Sequence, residues 1–322
     1  MSQIDTIAVV PPRPVAAPRG IAGPETSAGT KVAVIIPTRG RPHIVAELIR
    51  QLSSQSRPPD HIFVIASDPA DVAELERDRA DLTVHIGRPG SSAQRNDGLR
   101  LAGSRFAAIV FFDDDFFPSR YWLERMVRLL ETHPGVDGVT GMVLADGAST
   151  AGIDPSDALA LVNAHDLQPL QAGALRDNIG FGGNTGCNMA FRYSAIRDIA
   201  FDERLPAYAW LEDADFRGQV VRHGRFVRGE ALWGVHLGHK QGRARGRALG
   251  YSQIANPVYL ARKGTVPATH LAPLAMKNVV TNLVRSLRPE PFVDRRGRLA
   301  GNLIAIADFF RGRLAPERVL TL

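Results

Sequence analysis

The stretch FAAIVFFDDD, residues 106–115, decides the fold of this chain, because an apolar run ends there in three consecutive carboxylates. A second apolar run, KVAVIIP at 31–37, ends in a proline. Short apolar runs between turn residues are typical of strands that are buried on both faces of a parallel sheet. HIFVIASD at 61–68 and LTVHI at 82–86 predict two more such strands.

Helical patterns alternate with these strands. Apolar residues recur at helical spacing over 42–53, and we also predict helices over 71–80, 92–104, 118–133 and 211–224. Further strands are predicted over 136–144, 186–192 and 225–239, in mixed pairing. This alternation predicts an α/β fold with a mainly parallel sheet flanked by helices. The connection 145–180, rich in Ala, Asp and Gly, is predicted to be irregular.

Length and composition indicate a globular chain of 322 residues, 44% of them hydrophobic and 22% charged. This composition excludes a mostly disordered protein, although Pro, Ala and Gly dominate residues 1–30 and predict a disordered tail there. The single cysteine, Cys187, excludes an internal disulfide framework and a cysteine-rich zinc site. No apolar run reaches 18 residues and no signal-peptide pattern opens the chain, so we expect a cytoplasmic protein.

Charge is distributed unevenly along the chain. From Arg217 to the end there are 19 basic and 5 acidic residues, whereas residues 1–216 hold 20 basic and 28 acidic ones. A basic second half indicates either a polyanionic partner, such as phosphate, anionic lipid or nucleic acid, or a solvated basic surface. Residues 263–322 are expected to form amphipathic basic helices. One of them would either lie on an anionic membrane surface or pack on the catalytic domain through Leu299, Leu303, Ile306 and Phe310.

The acidic triplet is the sharpest chemical signal. In an open α/β sheet, ligands bind beyond the carboxyl ends of the strands, where Asp113, Asp114 and Asp115 stand. A divalent cation would neutralise such a group, and oxygen ligands suit Mg²⁺ or Mn²⁺. Because side chains alternate along an extended backbone, Asp113 and Asp115 should share a face while Asp114 points away. The alternative is a solvated turn or a helix cap near Pro118.

A second group of carboxylates lies in LEDADF, residues 211–216. Acidic residues are favoured at a helix start by the helix dipole alone, but a second carboxylate site also fits metal-assisted transfer with a general base. GVHLGH, at 234–239, adds two histidines that could lie near a metal or a diphosphate. Arg95, at a predicted helix start, could bind an anion. The absence of a P-loop and of GxGxxG argues against a kinase or a dinucleotide oxidoreductase.

A resemblance to the family 2 glycosyltransferases of the GT-A fold is carried by an ordered set of segments across residues 31–262. The segments are VAVIIPTRGRP, FVIASD, SSAQRNDGLRLA, VFFDDDFFP, GCNMAFR, FDERLPAYAWLEDADF and GVHLGHK. The resemblance implies a single GT-A-type nucleotide-diphospho-sugar transferase domain. It also implies that the nucleotide-sugar is bound by Pro37, Thr38, Arg41, Asp68, Arg95, Asn96, Asp113, Asp114 and Glu212.

The resemblance further implies the catalytic roles. Asp115 would be the metal ligand of a DxD motif, with Mg²⁺ or Mn²⁺ as the cofactor, and Asp213 the catalytic base. His236 would contact the metal or the diphosphate, with His239 as its competitor. The chain departs from the family pattern at Ala66-Ser67-Asp68, where members often carry a doubled acidic pair.

The expected function is therefore inverting, metal-dependent transfer of a hexose-like sugar from a nucleotide-sugar, most readily a UDP-sugar, to a glycan or lipid-linked saccharide. Such an enzyme would serve polysaccharide biosynthesis in the cytoplasm or on the inner face of the cell membrane. One alternative is a nucleotidyltransferase with an acidic metal site, but PTRGRP at 37–42 is not a glycine-rich phosphate loop. The other is a basic nucleic-acid-binding protein. RARGR and DRRGR lack the interleaved aromatic residues that nucleic-acid binding would favour, so we expect no nucleic-acid partner.

Overall fold

One mixed sheet forms the centre of the computed structural model, which describes residues 29–76, 78–169, 174–177, 186–239 and 246–322. The tail predicted for residues 1–30 lies, except for its last two residues, outside the described part. The strands are β1 (Val32–Thr38), β2 (His61–Ala66), β3 (Leu82–Ile86), β4 (Ala108–Phe112), β5 (Phe116–Pro118), β6 (Gly138–Asp146), β7 (Leu175–Asp177), β8 (Asn188–Arg192) and β9 (Phe226–His236).

The sheet has the order β3-β2-β1-β4-β8-β6-β9-β5, and β7 also pairs with β9. The first four strands of this order are parallel, whereas β8 runs antiparallel between β4 and β6. In the parallel half, Thr38 lies opposite Ala66 and Ile35 opposite Phe111. The carboxyl ends of β1, β2 and β4 therefore meet at one edge of the sheet, as the strand pattern predicts.

Helices cover both faces of the sheet. They are α1 (Pro42–Ser53), α2 (Ser91–Ala102), α3 (Trp122–Thr132), α4 (Pro155–Asp166), α5 (Tyr193–Ile196), α6 (Glu212–Val220), α7 (Gly246–Lys263), α8 (Ala268–Arg285) and α9 (Arg295–Phe310). Side chains of β1 alternate between two buried clusters. Val34 packs with residues of α1 and α3, and Ile35 packs with Phe216 of α6. The α/β fold with helices on both faces is thus confirmed.

Two predictions about local structure are wrong. Residues 71–80 form no α-helix: a 3₁₀ turn spans Pro69–Val72, and irregular backbone follows in the described residues. The segment 145–180 is not irregular throughout, because it contains α4 and β7. The helix α4 starts at an Asp154 cap, but it buries only Ala158 and Val162, so its apolar periodicity is too weak to be recognised.

The C-terminal helices pack against one another through close backbone contacts and a polar network. A Cβ at Gly250 would clash with the backbone of α9, and one at Gly301 would clash with α7. Between the helices, Asn282 Nδ2 donates to Gln253 Oε1 at 2.8 Å and to Asn302 Oδ1 at 2.9 Å. Buried amides that satisfy one another in this way hold the three helices in one arrangement.

Candidate active site

The acidic triplet lies directly beyond β4, held between two neighbouring strands. The backbone N–H of Asp113 donates to the carbonyl of Cys187 at 3.1 Å, just before β8. The carbonyl of Asp115 accepts from the N–H of Leu237 at 2.8 Å, just after β9. Sheet order, rather than sequence proximity, therefore brings the triplet to the histidines of GVHLGH.

Asp113, Asp115 and His236 form a compact group of potential metal ligands, with one ligand atom from each lying within 4.8 Å of the others. Their two carboxylates and one imidazole are donors that fit Mg²⁺ or Mn²⁺. Burial opposes protonation of His236, but the charge of Asp115 and hydrogen bonds to Asp115 and Asp146 raise its pKa to about 10. The protonated imidazole thus supplies positive charge to the ligand group. A divalent cation that binds there would displace the proton and supply the positive charge in its place.

Asp114 faces the exit of β1 instead of this ligand group. Its Oδ2 accepts from the Thr38 hydroxyl at 2.7 Å, and its Oδ1 lies 3.2 Å from Arg41 Nη1. Burial raises the pKa of Asp114 to about 7, against the opposing charge of Arg41. Arg41 also lies 2.6 Å from Asp115 Oδ2. Asp114 and Asp115 thus share Arg41, but only Asp113 and Asp115 join the ligand group, which agrees with the predicted alternation of the triplet.

Arg95 joins the acidic triplet to the second carboxylate group. The guanidinium is 2% exposed, its Nη2 lies 2.6 Å from Asp113 Oδ1, and its Nη1 contacts Glu212. Ser91 Oγ donates to the same Glu212 carboxylate at 3.1 Å. Burial raises the pKa of Glu212 to about 7, although the charge of Arg95 opposes this shift. Arg95 is therefore an enclosed bridge between two acidic groups, and its contact with a nucleotide stays a prediction.

A loop with unusual backbone leads into α6 and the second carboxylate group. Ala207, Ala209 and Leu211 have φ values of 59°, 48° and 75°, in the left-handed region that disfavours side chains with a Cβ. Such strain persists where the surrounding structure enforces it, and it is typical of functional sites. Asp213 follows this loop, half-buried, and a Cβ at Gly186 would lie 3.1 Å from its Cβ and Cγ.

Comparison with known sequences identifies the family. The model described as "Glycosyl transferase family 2" matches residues 33–200, which is more than half of the chain. The chain belongs to glycosyl transferase family 2. No curated protein sequence gives a significant match.

Solved structures share the GT-A fold of this glycosyltransferase at low sequence identity. TarS 1-349 of S. aureus has 16% identity and a TM-score of 0.53, with 91% of this chain and 83% of that chain covered. The mannosyltransferase PcManGT from Pyrobaculum calidifontis, in complex with GDP-Man and Mn²⁺, has 17% identity and a TM-score of 0.51, with coverage of 93% and 87%. TarS 1-349 in complex with UDP has 12% identity and a TM-score of 0.51, with coverage of 88% and 92%. These structures agree in fold, and the family match favours the glycosyltransferase expectation over both alternatives.

Two other predicted site residues, Asn96 and His239, have partners within the protein, and their contacts with a nucleotide or a metal stay predictions. Asn96 exchanges hydrogen bonds with the backbone of Phe201 and also donates to Glu203 at 3.1 Å. The backbone N–H of His239 donates to Asp115 Oδ2 at 3.0 Å. Of the two competing histidines, geometry therefore places His236 in the ligand group.

The remaining donor-site predictions lie at the ends of β1 and β2. Pro37 is half-buried and is the penultimate residue of β1. Asp68 is exposed and caps the 3₁₀ turn by accepting from the N–H of Ala70 at 2.9 Å. Asp215, from the second carboxylate group, is fully buried and accepts from Thr265 Oγ1 at 2.6 Å. With the contact to Lys263 at 2.7 Å, this bond anchors α6 to the end of α7 and the segment after it.

Two carboxylates at the site were missed from the sequence. Asp71 is buried and accepts from the N–H of Gly40 at 2.6 Å and from that of Asp68 at 3.0 Å, so it ties together the loops after β1 and β2. Asp146 Oδ1 lies 2.7 Å from His236 Nδ1, and the two residues are paired in the parallel register of β6 and β9. Asp146 ends a strand, which is the signal that singled out the acidic triplet.

Proposed function

We propose that this glycosyltransferase transfers a sugar from a nucleotide-sugar to a saccharide or lipid-linked saccharide, with inversion and with Mg²⁺ or Mn²⁺ as cofactor. The observation that carries the proposal is the ligand group of Asp113, Asp115 and His236, joined through Arg95 to the carboxylates at the start of α6. Neighbours of the same fold bind GDP-Man with Mn²⁺, or UDP, which supports a nucleotide-sugar donor and a metal. We propose a UDP-sugar as the donor and the inner surface of the cell membrane as the place where the enzyme acts.

Three side chains would hold the cation, and their neighbours orient them. Asp115 is oriented by Arg41 and by the N–H of His239, which both contact its Oδ2. His236 can donate its Nδ1–H to Asp146, and its Nε2, 3.3 Å from Asp115 Oδ1, can bind a metal once it has lost its proton, an arrangement common behind metal-binding histidines. When bound, the cation would stabilise the negative charge that develops on the departing nucleoside diphosphate.

Asp213 is proposed to accept the proton of the attacking acceptor hydroxyl. It is the half-buried member of the second carboxylate group, whereas Glu212 is bound to Arg95 and Asp215 is fully buried. Gly186 leaves room beside its side chain. With the base on one side of the anomeric carbon and the diphosphate leaving on the other, a single displacement inverts the configuration. No covalent intermediate on the enzyme is required.

The substitution Asp213→Asn tests the base. A general base contributes on the order of 10²–10⁴-fold to rate, so turnover should fall by that factor while donor affinity, measured by calorimetry, is retained. Glu212→Gln is the matched control, because it removes the adjacent carboxylate and should keep more activity. If Glu212→Gln abolishes turnover while Asp213→Asn does not, the base is Glu212. If both lose donor binding, the second carboxylate group serves the donor rather than the acceptor.

Donor, metal and stereochemistry have direct readouts. UDP-, GDP- and dTDP-sugars should be compared for binding with Mn²⁺ and with EDTA. We expect a UDP-sugar to bind best, and EDTA to abolish transfer. The anomeric configuration of the product, followed by NMR from the first turnovers, should be opposite to that of the donor. Retention of configuration, or full activity in EDTA, would contradict the corresponding part of the proposal.

A further inference from the structure

An exposed apolar stripe runs along α8 and just beyond its end. It consists of Met276, Val280, Leu283, Val284 and Leu287, each between 49% and 81% exposed. The spacing of Met276, Val280, Leu283 and Val284 places these four on one face of the helix, and Leu287 follows two residues after the helix ends. The opposite side is packed, since Leu271 and Asn282 are buried. The stripe is therefore a separate apolar surface, and it is larger than the isolated exposed apolar residues that a soluble surface ordinarily carries.

Positive charge borders the stripe. From Ala268 to Arg288 the sequence contains Lys277, Arg285 and Arg288 but no acidic residue. Lys277 and Arg288 are exposed: helical spacing places Lys277 along one edge of the stripe, and Arg288 directly follows Leu287 at its end. Arg296 Nε donates to the Ser286 carbonyl at 3.3 Å, which brings another cation to the end of α8.

The four acidic residues of 263–322 are engaged within the protein. Glu290 lies 2.9 Å from Arg295 Nε, Asp308 lies 2.8 Å from Arg318 Nε, and Glu317 lies 2.5 Å from Arg204 Nε. The fourth, Asp294, caps α9. With its carboxylates paired internally, this part of the chain presents net positive charge to its surroundings.

We infer that the α8 stripe docks on an anionic lipid bilayer, lying in the interface parallel to the membrane plane. Apolar side chains would enter the acyl boundary, while the flanking cations meet lipid phosphates. A second copy of this chain fits less well, because two stripes brought together would also bring their positive edges together. Within the described residues, no helix combines the length and hydropathy needed to span a bilayer, so contact would be at the surface.

The stripe lies on a different helix from the face that the sequence indicates. Of the four apolar residues proposed on α9, Leu303 and Phe310 are exposed, while Leu299 and Ile306 are partly buried. Ile306 packs in the cluster between α7 and α9. The inference deepens the proposed function, since it rests on an acceptor that is presented at a lipid surface.

Flotation of the full-length chain with vesicles of phosphatidylcholine, with or without one-quarter phosphatidylglycerol, tests the inference. We expect binding at low salt to the anionic vesicles only. The double variant Leu283→Ser/Leu287→Ser should lower the partition coefficient at least ~10-fold, from the burial of two leucines. Lys277→Gln/Arg288→Gln should lower it roughly 25-fold, because each cation near an anionic surface contributes roughly a factor of five.

Two controls match these variants. Leu167→Ser removes an exposed leucine at the end of α4, and Arg128→Gln an exposed arginine of α3; neither should change flotation. Equal binding to neutral and anionic vesicles, or no binding at low salt, would overturn the inference. So would a dimer in sedimentation that the leucine variant dissociates. Donor binding and transfer to a water-soluble saccharide should persist in all stripe variants. A failed flotation experiment would therefore contradict the membrane inference but not the proposed reaction, and a failed transfer assay would contradict the proposed reaction but not membrane binding.

Discussion

The buried carboxylate of Glu212 should make the stability of this protein fall as pH rises. Burial raises its pKa from 4.5 to about 7, in spite of the opposing charge of Arg95. Each pKa unit corresponds to about 1.4 kcal/mol, so the ionised form costs about 3 kcal/mol in the folded state relative to the unfolded chain. Because the folded pKa is the higher one, the stabilisation is complete below pH 4.5 and is lost as pH rises through 7.

Urea unfolding at pH 5 and at pH 8, in the presence of EDTA, measures this effect. The wild-type protein should lose free energy of unfolding between the two pH values, with a further contribution from Asp114, whose pKa is also raised to about 7. The variant Glu212→Gln has no carboxyl group at this position, so its free energy of unfolding should fall between pH 5 and pH 8 by roughly 2.5 kcal/mol less than that of the wild type.

A second, more exposed carboxylate provides the control for this measurement. Glu230 is half-buried and pairs with Arg176 at 2.6 Å, and Glu230→Gln should leave the difference between pH 5 and pH 8 unchanged. If Glu212→Gln shows the same pH dependence as the wild type, Glu212 is not desolvated as the structure indicates, and its bridge with Arg95 is open to water.

Two further substitutions probe how the site is positioned. Gly186→Ala adds a Cβ that would lie 3.1 Å from Asp213, so we expect the turnover number to fall while donor affinity and stability change little; Gly135→Ala, with open space around it, should have no effect. Asp146→Asn removes the charged partner of His236 Nδ1 and should weaken Mn²⁺ binding, measured by electron paramagnetic resonance, about 10–100-fold; unchanged Mn²⁺ affinity would show that Asp146 does not orient the imidazole.

Local patterns in the sequence were sufficient to predict the central sheet and the place of the acidic triplet in it. Apolar runs predicted the buried parallel strands, and the position of FFDDD at a strand end predicted where the carboxylates would lie. The pattern failed where local signals were weak: α4 buries only Ala158 and Val162, and the capping box of Asp68 and Asp71 favours a 3₁₀ turn where residues 71–80 begin. Asp71 and Asp146 were missed because their partners are distant in sequence, and only the sheet order brings them together.

The amino-acid sequence by itself determined the α/β fold, the family and the types of residue available for catalysis, because strand and helix periodicity, turn chemistry and ordered motifs are properties of neighbouring residues. Only the tertiary structure decided which side chains pair. It enclosed Arg95 between Asp113 and Glu212, and it selected His236 over His239 for the ligand group. It also turned the apolar face of α8 outward, because burial depends on which other helices cover a face, and helical periodicity shows only that such a face exists.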